Sequence, residues 1–137
     1  MADNVAINKA AVIERCLART REVYAGDPAS LDDLTRQDSI VLNLQRAAQA
    51  AIDLAMHLAR VRRLGVPQTS REAFQLLTSG AGLDPALAEA MQRMVGLRNV
   101  TIHEYRALHL PVIQAVVENH LGELAAFAEW GVREASR

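Results

Sequence analysis

Apolar residues recur every three or four positions through one long stretch of the chain, from about residue 38 to residue 64. Because residues three and four apart project from the same side of an α-helix, they form one wide apolar face. The face comprises Ile40, Val41, Leu44, Ala47, Ala48, Ala51, Ala55 and Leu58. This pattern predicts a long core helix. The helix is expected to end at the Gly-Val-Pro sequence of residues 65–67.

Four further segments have helical spacing between glycine and proline breaks. The first runs from about residue 4 to residue 25, and a short turn is expected in the following linker at residues 31–34. Thr69 and Glu72 have capping-box spacing and open a short helix that reaches about Thr78. Asp84, followed by a proline, begins a fourth helix, and Pro111 begins the last one.

These segments predict an all-α fold, an up-and-down bundle of about five helices in a single domain spanning residues 1–137. Only 4% of the residues are aromatic, so Ala, Leu and Val supply most of the packing, which suits closely spaced helices. The short helix at residues 70–78 is expected to pack outside the bundle.

Charge, cysteine content and the lack of targeting segments exclude several classes of protein. The net charge of -1 provides no global basic field for nucleic acid, although a local basic groove is compatible with it. Cys16 is the only cysteine, which excludes an internal disulfide and a cysteine-based metal site. The N-terminus lacks the pattern of a signal peptide, and no stretch approaches the roughly 18 apolar residues of a membrane span. We therefore expect a cytoplasmic protein without a membrane partner.

One charged residue interrupts the apolar face of the fourth helix. At about 100° per residue, Arg98 lies in the middle of an apolar arc about 100° wide. The rest of that arc is Leu87, Met91, Met94, Val95 and Ile102. An arginine stays charged, and burying it unpaired is costly, so it should face an anion, a partner or a site.

The residues that follow Arg98 suggest chemistry on phosphate. Tyr105 would share the face of Arg98, whereas His103 would lie about 140° away on a regular helix. Arg98 and His103 therefore meet only if the helix ends near residues 101–103 or if two subunits share the site. Histidine exchanges protons near neutral pH, and arginine stabilises negative charge on a phosphate, so RNA cleavage without a metal is one interpretation. The alternatives are a capping or surface histidine and an arginine that pairs with a carboxylate.

Residues 98–105, Arg-Asn-Val-Thr-Ile-His-Glu-Tyr, resemble the R-x4-H-x-Y signature of the HEPN ribonuclease superfamily, and specifically the HepT toxin family. Residues 40–47 and 51–58 resemble that family's second helix, residues 65–70 its next loop, and residues 94–99 its approach to the motif. The similarity extends over roughly residues 10–130.

This resemblance implies a helical homodimer with two copies of the motif at its interface, acting as a metal-independent endoribonuclease toxin without a cofactor. Arg98 and His103 match the catalytic pair, and Asn99 matches a polar position beside the arginine. The implied partners are an RNA substrate and an MntA-like minimal nucleotidyltransferase antitoxin, with which the dimer would form a larger assembly. That antitoxin would transfer AMP to Tyr105 and block the site. The family tends to have an acid shortly after the tyrosine, where this chain has His109.

Two polar clusters on the long helix have both a structural and a functional interpretation. Asp53 and His57 are four residues apart, close enough for a hydrogen bond, and Asp53 is a candidate supporting residue for the catalytic groups. Arg60, Arg62 and Arg63 complement the helix dipole at its C-terminal end and are candidate contacts for RNA phosphates.

Two other functions compete with the nuclease. The chain would be a non-catalytic HEPN-like binding partner of a nucleotidyltransferase if the motif were inert. It would be a purely structural helical dimer if Arg98 formed an interface salt bridge.

Overall fold

The structure is a computed structural model that describes residues 3–104 and 110–137, with the backbone only for residue 97 and residues 99–104. Its elements are α1 (Asn4–Tyr24), a 3-10 helix (Pro28–Asp32), α2 (Leu34–Val61), α3 (Ser70–Ala81), α4 (Pro85–Glu104), α5 (Leu110–Asn119) and α6 (Leu121–Ala135). The described ranges hold helices and connecting turns, which confirms the all-α prediction.

Polar side chains define where four of the helices begin. Asp3, Asp33 and Thr69 each accept a backbone N–H three residues ahead, at 3.0, 3.1 and 3.1 Å, and Asp84 accepts that of Ala86 at 3.2 Å. Each cap satisfies an N–H group that has no acceptor within the helix. The caps predicted at Thr69 and Asp84 are thereby confirmed.

The start of α2 and the end of α3 differ from the predicted positions. The cap at Asp33 starts α2 at Leu34 rather than near residue 38, directly after the 3-10 helix. Glu72 reaches back as expected, but it accepts the N–H of Gln68 at 3.1 Å. α3 continues to Ala81, and Gly82 ends it with a φ of 76°, a left-handed conformation that favours glycine.

The predicted last helix is two helices. The backbone of His120 has φ -123° and ψ 0°, which interrupts the helix between α5 and α6. The imidazole of His120 lies 2.6 Å from the Glu123 carboxylate in the first turn of α6. The apolar spacing continues across this break, so the pattern alone did not separate the two helices.

The core lies between α1, α2, α4 and α6, and α2 contacts every other α-helix of that set. α3 belongs to the core as well, because Phe74 is fully buried and its ring meets Phe127 of α6 edge to face, with centroids 5.4 Å apart. The prediction that this helix packs outside the bundle is therefore wrong. Gly131 lets α6 approach α2 closely, since a Cβ there would lie 2.6 Å from Leu54 Cδ2.

Among the described residues, no helix is both long enough and apolar enough to cross a bilayer.

Candidate active site

α4 carries the arginine and the histidine of the motif. Met91 and Met94 are buried and attach the helix to the core, and Arg98 follows one turn later with a half-buried side chain. The helix continues through His103 to Glu104. Arg98 and His103 therefore lie on one continuous helix, about 140° apart around its axis. The helix therefore does not end before His103, as one of the two expected arrangements required.

The guanidinium of Arg98 is held from the neighbouring helix. Its Nη1 donates a hydrogen bond to Oε1 of Gln49 on α2. The Nε2 of Gln49 donates to Asp53 Oδ1 at 2.9 Å, and Lys9 Nζ on α1 donates to Asp53 Oδ2 at 3.2 Å. We call Lys9, Gln49, Asp53 and Arg98 the Gln49 network. It links α1, α2 and α4, and it connects the predicted supporting residue Asp53 to the predicted catalytic arginine.

His57 has different partners from the one predicted. Its Nε2 lies 2.7 Å from Asp3 Oδ2 and its Nδ1 lies 3.2 Å from Nη2 of Arg60, while Asp53 bonds to Gln49 and Lys9. A carboxylate only accepts and a guanidinium only donates, so neutral His57 carries its proton on Nε2. The pKa of Asp3 is lowered, first by the N–H of Ala6 that it caps and also by His57. This cluster ties the start of α1 to α2.

An open cavity of about 410 Å³ adjoins both clusters. Asp53, His57 and Arg60 supply its polar wall, and exposed apolar side chains at Val5 and Val66 border it. The lining of this cavity therefore combines charged and apolar side chains.

The three arginines at the end of α2 do not share one role. Arg62 Nη1 lies 3.0 Å from the carboxylate of Glu134 and donates to its backbone carbonyl at 3.1 Å. Glu134 is only 3% exposed, so this arginine neutralises a buried charge on α6. Arg60 and Arg63 are exposed, and of the three they are the better placed for a phosphate.

We expect Arg62→Met to lower the free energy of unfolding by about 1–3 kcal/mol, because it leaves a buried carboxylate without its main partner. Arg63→Met is the matched control and should change that free energy by less than about 1 kcal/mol, since Arg63 is exposed. Urea denaturation of both variants measures the difference. If Arg62→Met is as stable as the unaltered protein but binds RNA more weakly, Arg62 contacts RNA phosphates as predicted and does not serve mainly to pair with Glu134.

The remaining predicted site residues are only partly placed. The structure describes the backbone of Asn99 and His103, which lie in α4. Tyr105 and His109 lie outside the described residues. Gln49 and Lys9 were not among the candidates from the sequence. Gln49 precedes Asp53 by four positions and shares its helix face, a spacing that would have pointed to it.

Comparison with known proteins agrees with this architecture. A family model described as Ribonuclease HepT-like matches residues 13–130. The mRNA nuclease HepT of Shewanella oneidensis is 40% identical over 127 residues, which are 93% of this chain and 96% of that relative.

Solved structures of toxin–antitoxin pairs have the same fold. One is a tri-AMPylated Shewanella oneidensis HEPN toxin in complex with MNT antitoxin. It is 41% identical, with a TM-score of 0.86 over 93% of this chain and 96% of that chain. Another is a toxin–antitoxin with AMP-PNP, 39% identical, with a TM-score of 0.87 over 94% of this chain and 98% of that chain.

Proposed function

Because the chain belongs to the HepT-like ribonuclease family, we propose that it is a cytoplasmic endoribonuclease toxin formed by one domain, residues 1–137. The observation that carries the proposal is the placement of Arg98. Its half-buried guanidinium is held by a neutral amide on α2, at the position where the motif needs a phosphate-binding cation. The amide oxygen orients the guanidinium, and the planar fork of N–H donors on that group suits a phosphate.

RNA offers the reaction that these residues suit. His103 takes the proton of a ribose 2′-hydroxyl as its oxygen attacks the adjacent phosphorus, or returns a proton to the departing 5′-oxygen. The bond between phosphorus and that 5′-oxygen breaks, leaving a cyclic phosphate and a free 5′-hydroxyl. Arg98 stabilises the negative charge that grows on the phosphate oxygens. No metal ion is needed for these steps.

The site requires a second copy of the chain. Arg98 and His103 occupy positions about 140° apart around the axis of one helix, so we expect that a single α4 does not bring both residues to the same phosphate. A two-fold axis beside α4 would place the arginine of one subunit near the histidine of its partner. We propose a homodimer with two copies of the motif at this interface.

Regulation would come from an antitoxin that is a minimal nucleotidyltransferase. The similar Shewanella oneidensis toxin is tri-AMPylated and in complex with MNT antitoxin. In this chain we propose Tyr105 as the acceptor. Its phenolic oxygen attacks the α-phosphorus of ATP, AMP is transferred and pyrophosphate leaves. The added phosphate brings negative charge to the motif and competes with RNA for its positive charge.

Incubating the purified protein with RNA in excess EDTA tests the proposed activity. We expect cleavage to proceed at the rate seen without EDTA, with 5′-hydroxyl ends on the products. Loss of cleavage under EDTA would contradict the metal-independent mechanism. Intact RNA, together with a stable complex with a nucleotidyltransferase, would favour the non-catalytic binding partner instead.

A further inference from the structure

We propose that Gln49 is a positioning residue for Arg98 and that Asp53 and Lys9 set the orientation of its amide. This inference rests on the proposed function, since it concerns how the catalytic guanidinium is aimed. It connects the polar side of α2 to the motif on α4.

The direction of the hydrogen bonds determines which way the amide faces. Asp53 is a carboxylate and only accepts, so the NH2 group of Gln49 must face it, at 2.9 Å. The amide oxygen then faces the opposite way, toward Nη1 of Arg98. In the flipped orientation the NH2 group would meet the guanidinium with two donors facing each other. Asp53 thereby excludes the orientation that would displace Arg98.

Lys9 completes the arrangement from α1. Its ammonium lies 3.2 Å from Asp53 Oδ2, the oxygen that Gln49 does not use. Each carboxylate oxygen therefore has one donor, which restrains rotation of the Asp53 side chain. Lys9 and Asp53 are both 38% exposed, so solvent screens their attraction and the pair acts mainly by geometry.

A neutral residue suits this position better than an acid. A glutamate at position 49 would place a negative charge against the guanidinium and a second carboxylate beside Asp53. Methionine has a similar length and shape but lacks the strong acceptor. Gln49→Met therefore removes the acceptor of the hydrogen bond from Arg98, whereas Gln49→Glu keeps an acceptor and adds a negative charge.

The first test measures cleavage kinetics of the dimeric protein on one RNA substrate. We expect Gln49→Met to lower kcat by about 10- to 100-fold with KM nearly unchanged, since small misplacement of a catalytic group costs rate on this scale. Gln75→Met, at an exposed glutamine of α3, is the matched control and should retain full activity. Asp53→Asn should also lower kcat, and adding it to Gln49→Met should cause no further loss, because both act through one guanidinium.

The second test observes Arg98 directly and does not depend on activity. In arginine-labelled protein, the side-chain nitrogen resonances of Arg98, assigned with Arg98→Lys, should shift and broaden in Gln49→Met and in Asp53→Asn but not in Gln75→Met. Unchanged Arg98 resonances in Gln49→Met, or unchanged kcat in an active protein, would overturn the positioning role. If the unaltered protein leaves RNA intact, the proposed function fails, and the resonances alone then decide whether Gln49 orients Arg98.

Discussion

His103→Ala is expected to lower the rate of RNA cleavage by about 100- to 10,000-fold, the usual contribution of general acid–base catalysis. Without this imidazole, no general base near neutral pH takes the proton of the attacking 2′-hydroxyl, or no general acid protonates the departing oxygen. The fold should be unaffected, because the core packing of α4 comes from residues such as Met91 and Met94. Single-turnover cleavage of a labelled RNA measures the loss.

His120→Ala is the matched control for this experiment. His120 lies at the break between α5 and α6, where its imidazole contacts Glu123 at 2.6 Å, and it belongs to no part of the proposed site. It should cleave RNA at the rate of the unaltered protein. In cells, expression of the unaltered protein should halt growth and expression of His103→Ala should not. Full cleavage by His103→Ala would remove this residue from the mechanism.

Tyr105→Phe is expected to abolish AMP transfer to the chain and to leave RNA cleavage intact. Only the phenolic oxygen is lost, and the proposed chemistry of cleavage depends on Arg98 and His103. Intact-mass measurement after co-expression with a nucleotidyltransferase antitoxin should show AMP-sized additions on the unaltered protein and none on Tyr105→Phe. The variant should then halt growth even when the antitoxin is present.

The chain offers a matched control because it contains two tyrosines. Tyr24 is 5% exposed, and its hydroxyl donates a hydrogen bond to Glu118, which links α1 to α5. Burial and that carboxylate raise the pKa of Tyr24 to about 12, so its oxygen is both inaccessible and a poor nucleophile. Tyr24→Phe should accept AMP as the unaltered protein does. Additions that survive in Tyr105→Phe would contradict the acceptor assignment.

Local chemistry explains which parts of the fold were predictable. The caps at Thr69 and Asp84 involve a side chain and a backbone N–H within one helical turn, so residue type and spacing were sufficient. Asp33 caps α2 through the same local contact, within the segment that was predicted to be a linker. The break at His120 was not predictable in this way, because the apolar spacing continues through it.

Within the candidate site, the position of Arg98 was predictable from the sequence, whereas its hydrogen-bond partner was not. Its place on an apolar stripe of α4, and the spacing to His103 and Tyr105, follow from helical periodicity and needed only the order of residues. Its partner Gln49 is 49 positions away, and Arg62 meets Glu134 across 72 positions. Only the packing of α4 and α6 against α2 decides these contacts. A hydrogen bond requires two groups within about 3 Å, and between distant segments that distance is set by how the helices pack.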